Sequence, residues 1–266
     1  MKVVYENRFK WFSDVNSVVS EEIKKAHPRA WNEDHVTYNI ISALRERHSN
    51  VYIVQDPPQY KSYGVSWDAF KNTKKDNIEP QYGDISILVR IELELGKYVD
   101  GVAFFEAKLA KFDSIDSIKR NFDAVRKEQL ERLKVRSENH RLVLYDVSSK
   151  HQGVALSIPT AHACSLSKIN EKMYGFCELW AYTLTNRIFR GYELNYDKEV
   201  VDVVKKSASK FGGVDYMMVC VISSVQEPKQ QLDLFLGELD LDGMYRIEGE
   251  YPDLDHSDIG YRGPRP

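Results

Sequence analysis

Apolar residues recur along this chain first with a helical period and then with a strand period, and that switch supplies the frame. Val36, Ile40, Ile41 and Leu44 share one helical face behind Asn32, which predicts a helix running to about His48 with Asn32 as its N-cap. Residues 51–54 read as a short strand stopped by Pro57 and Pro58, and residues 56–80 lack a period and read as an irregular excursion. From Asp84 to Leu95 the pattern alternates, with Ile85, Ile87, Val89, Ile91, Leu93 and Leu95 on one face of a predicted strand. A turn between Gly96 and Gly101 leads into a second strand over residues 102–108. Residues 115–136 predict a helix, with Ile118, Phe122, Val125 and Leu133 at helical spacing; residues 141–147 (RLVLYDV) predict a strand. A helix over residues 168–190 and a strand over residues 216–222 complete the body. Helix, hairpin, helix, strand is the order of an α/β fold with a mixed central sheet flanked by helices.

The hairpin carries the chemistry. In its second strand, GVAFFEAKLA, Glu106 and Lys108 lie two residues apart and so point to one face of an otherwise apolar strand. Burying a carboxylate and an ammonium there costs several kcal/mol unless they pair or meet another ion. Asp84 opens the preceding strand. An antiparallel pairing with Ser86 or Leu88 level with Lys108 brings Asp84 to the same end and face as Glu106 and Lys108. It also sets Ile85, Ile87 and Val89 against Ala103, Phe105 and Ala107. A two-residue turn at Gly96-Lys97 would change the parity, mix the faces and scatter the charges. Two carboxylates at one strand end form a hard-cation site, for which oxygen ligands select Mg²⁺ or Mn²⁺. Such an ion lowers the pKa of a bound water and stabilises charge developing on phosphorus, while Lys108 orients that water or helps to deprotonate it.

Composition and charge narrow the class. The chain of 266 residues is 42% hydrophobic and 29% charged, as expected of a globular protein with one or two domains. No apolar run approaches the ~20 residues of a membrane span, and residues 1–30 contain no signal-peptide core. Three cysteines without a CxxC pair point to a reducing, cytoplasmic compartment. The net charge of −3 hides a division: residues 231–260 hold nine acids against Arg246, whereas residues 119–141 hold eight bases against four acids. The division predicts a main domain over 1–225 and an acidic C-terminal hairpin or tail over 226–266. Such a tail could cover the basic face until nucleic acid competes for it. Arg120, Arg126, Lys127, Arg132, Lys134 and Arg136 could hold phosphates, or simply form a solvated helix face.

Asp84, followed after a strand and turn by Glu106-Ala107-Lys108, resembles the PD-(D/E)XK nuclease superfamily, which includes restriction endonucleases and phage-defence nucleases. The likeness covers residues 30–147. It implies a restriction-endonuclease-like αβββαβ core, a Mg²⁺- or Mn²⁺-dependent DNA endonuclease, and a role in restriction or anti-phage defence. It further implies that Asp84 and Glu106 bind the metal, that the Ala107 carbonyl joins them, and that Lys108 assists the attacking water. The proline that precedes the aspartate in the family is Gly83 here. Glu33 shares the stripe of Val36, Thr37, Ile40 and Leu44 and matches the acidic residue by which many members reach the metal; the alternative is a first-turn glutamate favoured by the helix dipole. Gln129 is a polar residue on an apolar stripe, matching a glutamine that some members place near the site; a satisfied core amide explains it equally well. For Asp84, Glu106 and Lys108 together the alternative is a structural ion pair beside a turn aspartate. A small core that must cut two strands suggests a homodimer or a helicase/ATPase partner, and the same metal chemistry would also serve an RNA-cleaving nuclease.

Gln231–Phe235 reads QLDLF, similar to the pentapeptide with which bacterial repair proteins dock on the sliding clamp. The segment also alternates through Leu232, Leu234 and Leu236 and precedes Asp242-Gly243, so an edge hairpin is the favoured reading. A protein recruited through this segment on an inactive nuclease-like core is the alternative function. His162 and Cys164 lack partners for a metal set, and Tyr174, Phe176, Trp180, Tyr182, Phe189 and Tyr192 read as core aromatics.

Overall fold

The computed structural model describes residues 2–54, 62–73, 81–111, 126–148, 150–166, 171–207 and 214–252. Its strands are β1 (Val3–Tyr5), β2 (Asn50–Ile53), β3 (Tyr63–Asn72), β4 (Ile85–Glu94), β5 (Lys97–Leu109), β6 (Arg141–Val147), β7 (Gly153–Pro159), β8 (Glu178–Leu179), β9 (Tyr216–Ser223) and β10 (Met244–Arg246). They form one mixed sheet in the order β1-β2-β3-β9-β4-β5-β6-β7-β8, with β10 beside β3. Pairs β1–β2, β4–β9 and β5–β6 are parallel, and the other neighbours antiparallel. The helices are α1 (Arg8–Ala26), α2 (Glu33–His48), α3 (Lys127–Arg136), α4 (Thr160–Ser165), α5 (Trp180–Tyr182), α6 (Lys198–Ser207) and α7 (Pro228–Leu236). The chain is therefore mixed α/β, as its sequence pattern predicts, and among the described residues no helix is long and apolar enough to cross a membrane.

Both faces of the sheet are buried. Trp11, Val15, Val19 and Ile23 of α1, with Val36, Ile40, Ile41 and Leu44 of α2, pack against Ile85, Ile87, Ala103, Phe105 and Val143. On the other face Val201 and Val204 of α6 and Leu232 and Phe235 of α7 meet Leu88, Val102, Phe104 and Met217. Towards the sheet's other end, Leu130 of α3 and Ala163 of α4 cover Leu142, Leu144 and Ile158. Two covered faces remove the apolar–polar alternation by which a strand is recognised. That explains β3, an interior strand within the stretch expected to be irregular; residues 55–61 and 74–80 lie outside the described residues. Its polar Ser66 and Asp68 are buried, Asp68 between Arg45 and Arg246 at 2.5 Å each.

The α2 and β6 boundaries match expectation, and four other elements differ. Arg126 has extended backbone and α3 starts at Lys127, so the helix expected over 115–136 is not continuous through that point; Ile118, Phe122 and Val125 lie outside the described residues. The helix expected over 168–190 is broken: a 3₁₀ turn at Glu171–Phe176 and strand β8 precede α5, which continues as helical turns over Thr183–Arg187 and Ile188–Arg190. Leu93 and Leu95, expected on the buried face of β4, are exposed at the hairpin tip. Gln231–Phe235 is neither extended peptide nor hairpin arm. Pro228 opens α7, and Leu232 and Phe235, one turn apart, are both fully buried. Presenting these side chains to a clamp would require stripping α7 from the sheet. Residues 226–252 belong to the same packed body, since Glu238 pairs with Arg90, β10 pairs with β3, and Ile247 is core.

Candidate active site

The site forms where β4 begins and β5 ends. The observed register sets Ile85 opposite Phe105 and Ile87 opposite Ala103. Asp84, just before β4, therefore lies level with Glu106. The even parity expected from the packing is present, but the pairing is displaced by several residues from the expected match of Ser86 or Leu88 with Lys108. The turn is shorter than anticipated: Glu94 pairs with Lys97 around Leu95-Gly96, and Gly96 has φ +71°. That two-residue turn alone would give the wrong parity. A bulge between Glu92 and Glu94 restores it, because one extra residue on one strand exchanges the faces.

Three carboxylates converge on one ammonium. Lys108 Nζ is 2.6 Å from Glu106 Oε1, 3.3 Å from Glu33 Oε1 and 3.8 Å from Asp84 Oδ2. Glu106 and Lys108 are nearly inaccessible. Glu33 reaches the cluster from the first turn of α2, which Asn32 caps by accepting from the Asp34 and His35 amides. Gln129 of α3 donates to Glu106 Oε1 at 2.6 Å. The Ala107 amide donates to Asp84 Oδ2 at 2.7 Å, a link that runs through the nitrogen. All the sequence-derived candidates, Asp84, Glu106, Lys108, Glu33, Gln129 and Ala107, thus meet at one strand end.

Among the described residues, carboxylates outnumber the cations at this strand end. Burial, then the neighbouring Asp84, pushes the Glu33 carboxyl up to about 8 despite Lys108. Burial opposes the Lys108 charge, yet Asp84, Glu106 and Glu33 outweigh it and hold the lysine above its ordinary value. These carboxylates favour the protonated ammonium, a form that suits Lys108 to orienting a water and stabilising negative charge. Carboxylate oxygens at one strand end are the donor type that suits a hard divalent cation. Among the described residues no group of three or more His, Cys, Asp or Glu is spaced as a ready metal cage. The Lys108 ammonium stands at the point of convergence, so an ion would need it to swing aside.

Sequence reasoning missed three supporting residues. Asp215 precedes β9, and its amide donates to the Asp84 carbonyl across the parallel β4–β9 pair. Burial, then Asp84 and Asp34, raises its carboxyl to about 6. Tyr145 of β6 hydrogen-bonds Thr37 of α2 at 3.1 Å beneath the cluster. His140 contacts the Tyr82 carbonyl at 3.2 Å through Nε2 and the Thr160 hydroxyl at 2.7 Å through Nδ1. A carbonyl only accepts, so Nε2 carries the proton and Nδ1 accepts from Thr160. Burial lowers His140 to about 4 and keeps it neutral. The contact explains Gly83: at φ +94° a Cβ would lie 2.7 Å from the Phe105 carbonyl oxygen and 2.9 Å from His140 Nε2. The family's proline, fixed near φ −65°, cannot adopt this backbone. Only the spatial adjacency of β9 and β6 reveals these roles, and spacing along the chain carries no signal of it.

No protein-family model, curated protein or solved structure matches the chain.

Proposed function

We propose that the protein is a Mg²⁺- or Mn²⁺-dependent nuclease of the PD-(D/E)XK type that hydrolyses phosphodiester bonds in DNA. The observation that carries this reading is the convergence of Asp84, Glu106 and Glu33 on Lys108 at the end of a β-hairpin, in the sequence order that the resemblance anticipates. The run α2, β2, β3, β4, β5, α3, β6 is a restriction-endonuclease-like order with one strand more than αβββαβ, and β9 lies between β3 and β4 in the sheet. A divalent ion held by Asp84 and Glu106, with Glu33, would supply an acidified water and neutralise charge on the scissile phosphate. Lys108 aims a water or helps to deprotonate it, and its charge stabilises the developing oxyanion. Gln129 fixes the orientation of Glu106. Arg126, Lys127, Arg132, Lys134 and Arg136 are exposed along α3, the helix that bears Gln129, and are suited to strand phosphates. A restriction or anti-phage role, and a homodimer or helicase/ATPase partner for double-strand cutting, follow from the family analogy alone.

The test is cleavage of supercoiled plasmid, linear duplex, single-stranded DNA and RNA by the full chain, with Mg²⁺, with Mn²⁺ and with chelator. Plasmid nicking that needs the ion and falls at least ~100-fold in Lys108→Ala, with circular dichroism unchanged, is the expected result. Cleavage of RNA alone would reassign the substrate. Undiminished cleavage in Lys108→Ala would remove the site.

A further inference from the structure

A cleft of about 500 Å³ opens on the side of α1, lined by Arg8, Phe9, Phe12, Tyr182, Asn186 and Arg190 among others. It is remote from the carboxylate cluster. Ile53 on its wall pairs with Tyr63 at the start of β3, whereas Lys71, near the other end of that strand, binds Asp34 beside the cluster. The eight intervening steps span about 26 Å at ~3.3 Å per residue.

Two cations, Arg8 and Arg190, stand on the wall. Arg45, Arg90, Arg141, Arg187 and Arg246 each pair with a carboxylate. Among the described residues, Arg8 and Arg190 form no ion pair and no acid lines the cleft. The smaller cleft between Arg45 and Arg246 makes the contrast, because Asp68 neutralises both of its arginines. Beside Ile53, Tyr63 is buried and its hydroxyl has no hydrogen-bond partner among the described residues. Burial pushes that phenol up to about 12, against the opposing pull of Arg8 and Arg190. Aromatic surface flanks the two guanidinium groups: Phe9 is 75% exposed and Tyr182 42% exposed, with Phe12 edge-on to Tyr182 at 5.9 Å. Tyr182 and Tyr192 were expected in the core; both instead face outward at this edge.

Uncompensated guanidinium groups select an anion, exposed rings select a flat aromatic partner, and the volume suits a ligand of nucleotide size. We propose that the Arg8–Arg190 cleft is a binding site for a nucleoside phosphate, its phosphate on the two arginines and its base against Phe9 and Tyr182. The two sources of that chemistry are a free nucleotide and a nucleotide at the end of a single strand. The assignment stands independently of the nuclease reading.

Calorimetric titration of the full chain in chelator with AMP, adenosine, inorganic phosphate and a single-stranded hexanucleotide tests it. AMP should bind more tightly than either of its halves. Arg8→Gln and Arg190→Gln should each weaken it at least ~tenfold, while Asp84→Asn, at the distant cluster, should leave it unchanged. Tighter binding of the hexanucleotide with the same arginine dependence identifies a strand, and equal or weaker binding identifies a free nucleotide. Should an arginine variant unfold by circular dichroism, Asn186→Asp, which adds a negative charge to the wall, should abolish binding instead. Binding of none of the four probes, or AMP binding indifferent to the arginine and Asn186 variants, would overturn the assignment. Loss of binding in folded Asp84→Asn would do the same.

Discussion

Two clusters of buried charge lie on the same β-hairpin, and they are built on opposite principles. Near its middle, Arg90 makes bidentate contacts with Asp100 at 2.8 and 2.9 Å and with Glu238 at 2.7 and 2.8 Å. Lys205 adds a second cation to Asp100, and the rings of Tyr98 and Phe235 sandwich the guanidinium. Two cations meet two anions. Burial opposes ionisation of Asp100, yet its partners hold both it and Glu238 below their ordinary values. At the strand end, three carboxylates share the Lys108 ammonium, and Glu33 is driven up instead. The balanced cluster is a clamp joining β4, β5, α6 and the segment after α7. Among the described residues the second cluster sets three carboxylates against one ammonium, a crowding of like charge that marks candidate functional sites.

Substitutions should separate the two. Asp84→Asn should reduce metal-dependent cleavage at least ~1,000-fold while leaving the melting temperature within a few degrees of wild type, as plasmid assays and calorimetry on the same preparation would show. Arg90→Ala should do the reverse to stability. Leaving Asp100 and Glu238 without their main partner costs about 3–5 kcal/mol, or roughly 10 °C in melting temperature. An Arg90→Ala protein as stable as wild type would end the distinction. Acid sharpens it through His140, which lies under Gly83 beside the unbalanced cluster. Its folded pKa is depressed to about 4, so the unfolded chain binds more protons between pH 6.5 and 4. Stability is therefore lost as pH falls through that window, by up to about 3 kcal/mol, and His140→Gln should flatten the slope of chemical-denaturation midpoints against pH. The smallest effect is expected from Glu33→Gln: at about pH 9, above the raised Glu33 pKa, it removes one of three like charges and should raise the melting temperature in chelator by about 1–3 °C.

What could be read from residue order was local chemistry. Asn32 and the stripe after it mark α2, and the two-residue spacing of Glu106 and Lys108 marks one face of β5; these follow from periodicity in a single element. The meeting of Asp84, Glu33 and Gln129 with that pair needed the parity of a single hairpin and the faces of two helices. Packing constrains both. Asp215, His140 and Tyr145 were out of reach because they enter through strand neighbours distant in sequence, β9 beside β4 and β6 beside β5. The strand β3 and the helix α7 were misread for related reasons. Burial on two sides erased alternation in the first. In the second, Leu232, Leu234 and Leu236 satisfy a period of two, while the buried pair Leu232 and Phe235 satisfies a helical spacing, and tertiary packing chose the helix.

The bulge between Glu92 and Glu94 has an evolutionary corollary. Insertions and deletions are usually tolerated at exposed hairpin tips. Here the tip lies about 27 Å along the strand from Asp84, and it absorbs the one-residue mismatch between a two-residue turn and the register that burial imposes. Removing Leu93 would leave four residues between Glu92 and Tyr98, a loop that closes the same register. Homologues should therefore vary in both the identity and the length of this tip while Asp84 stays level with Glu106.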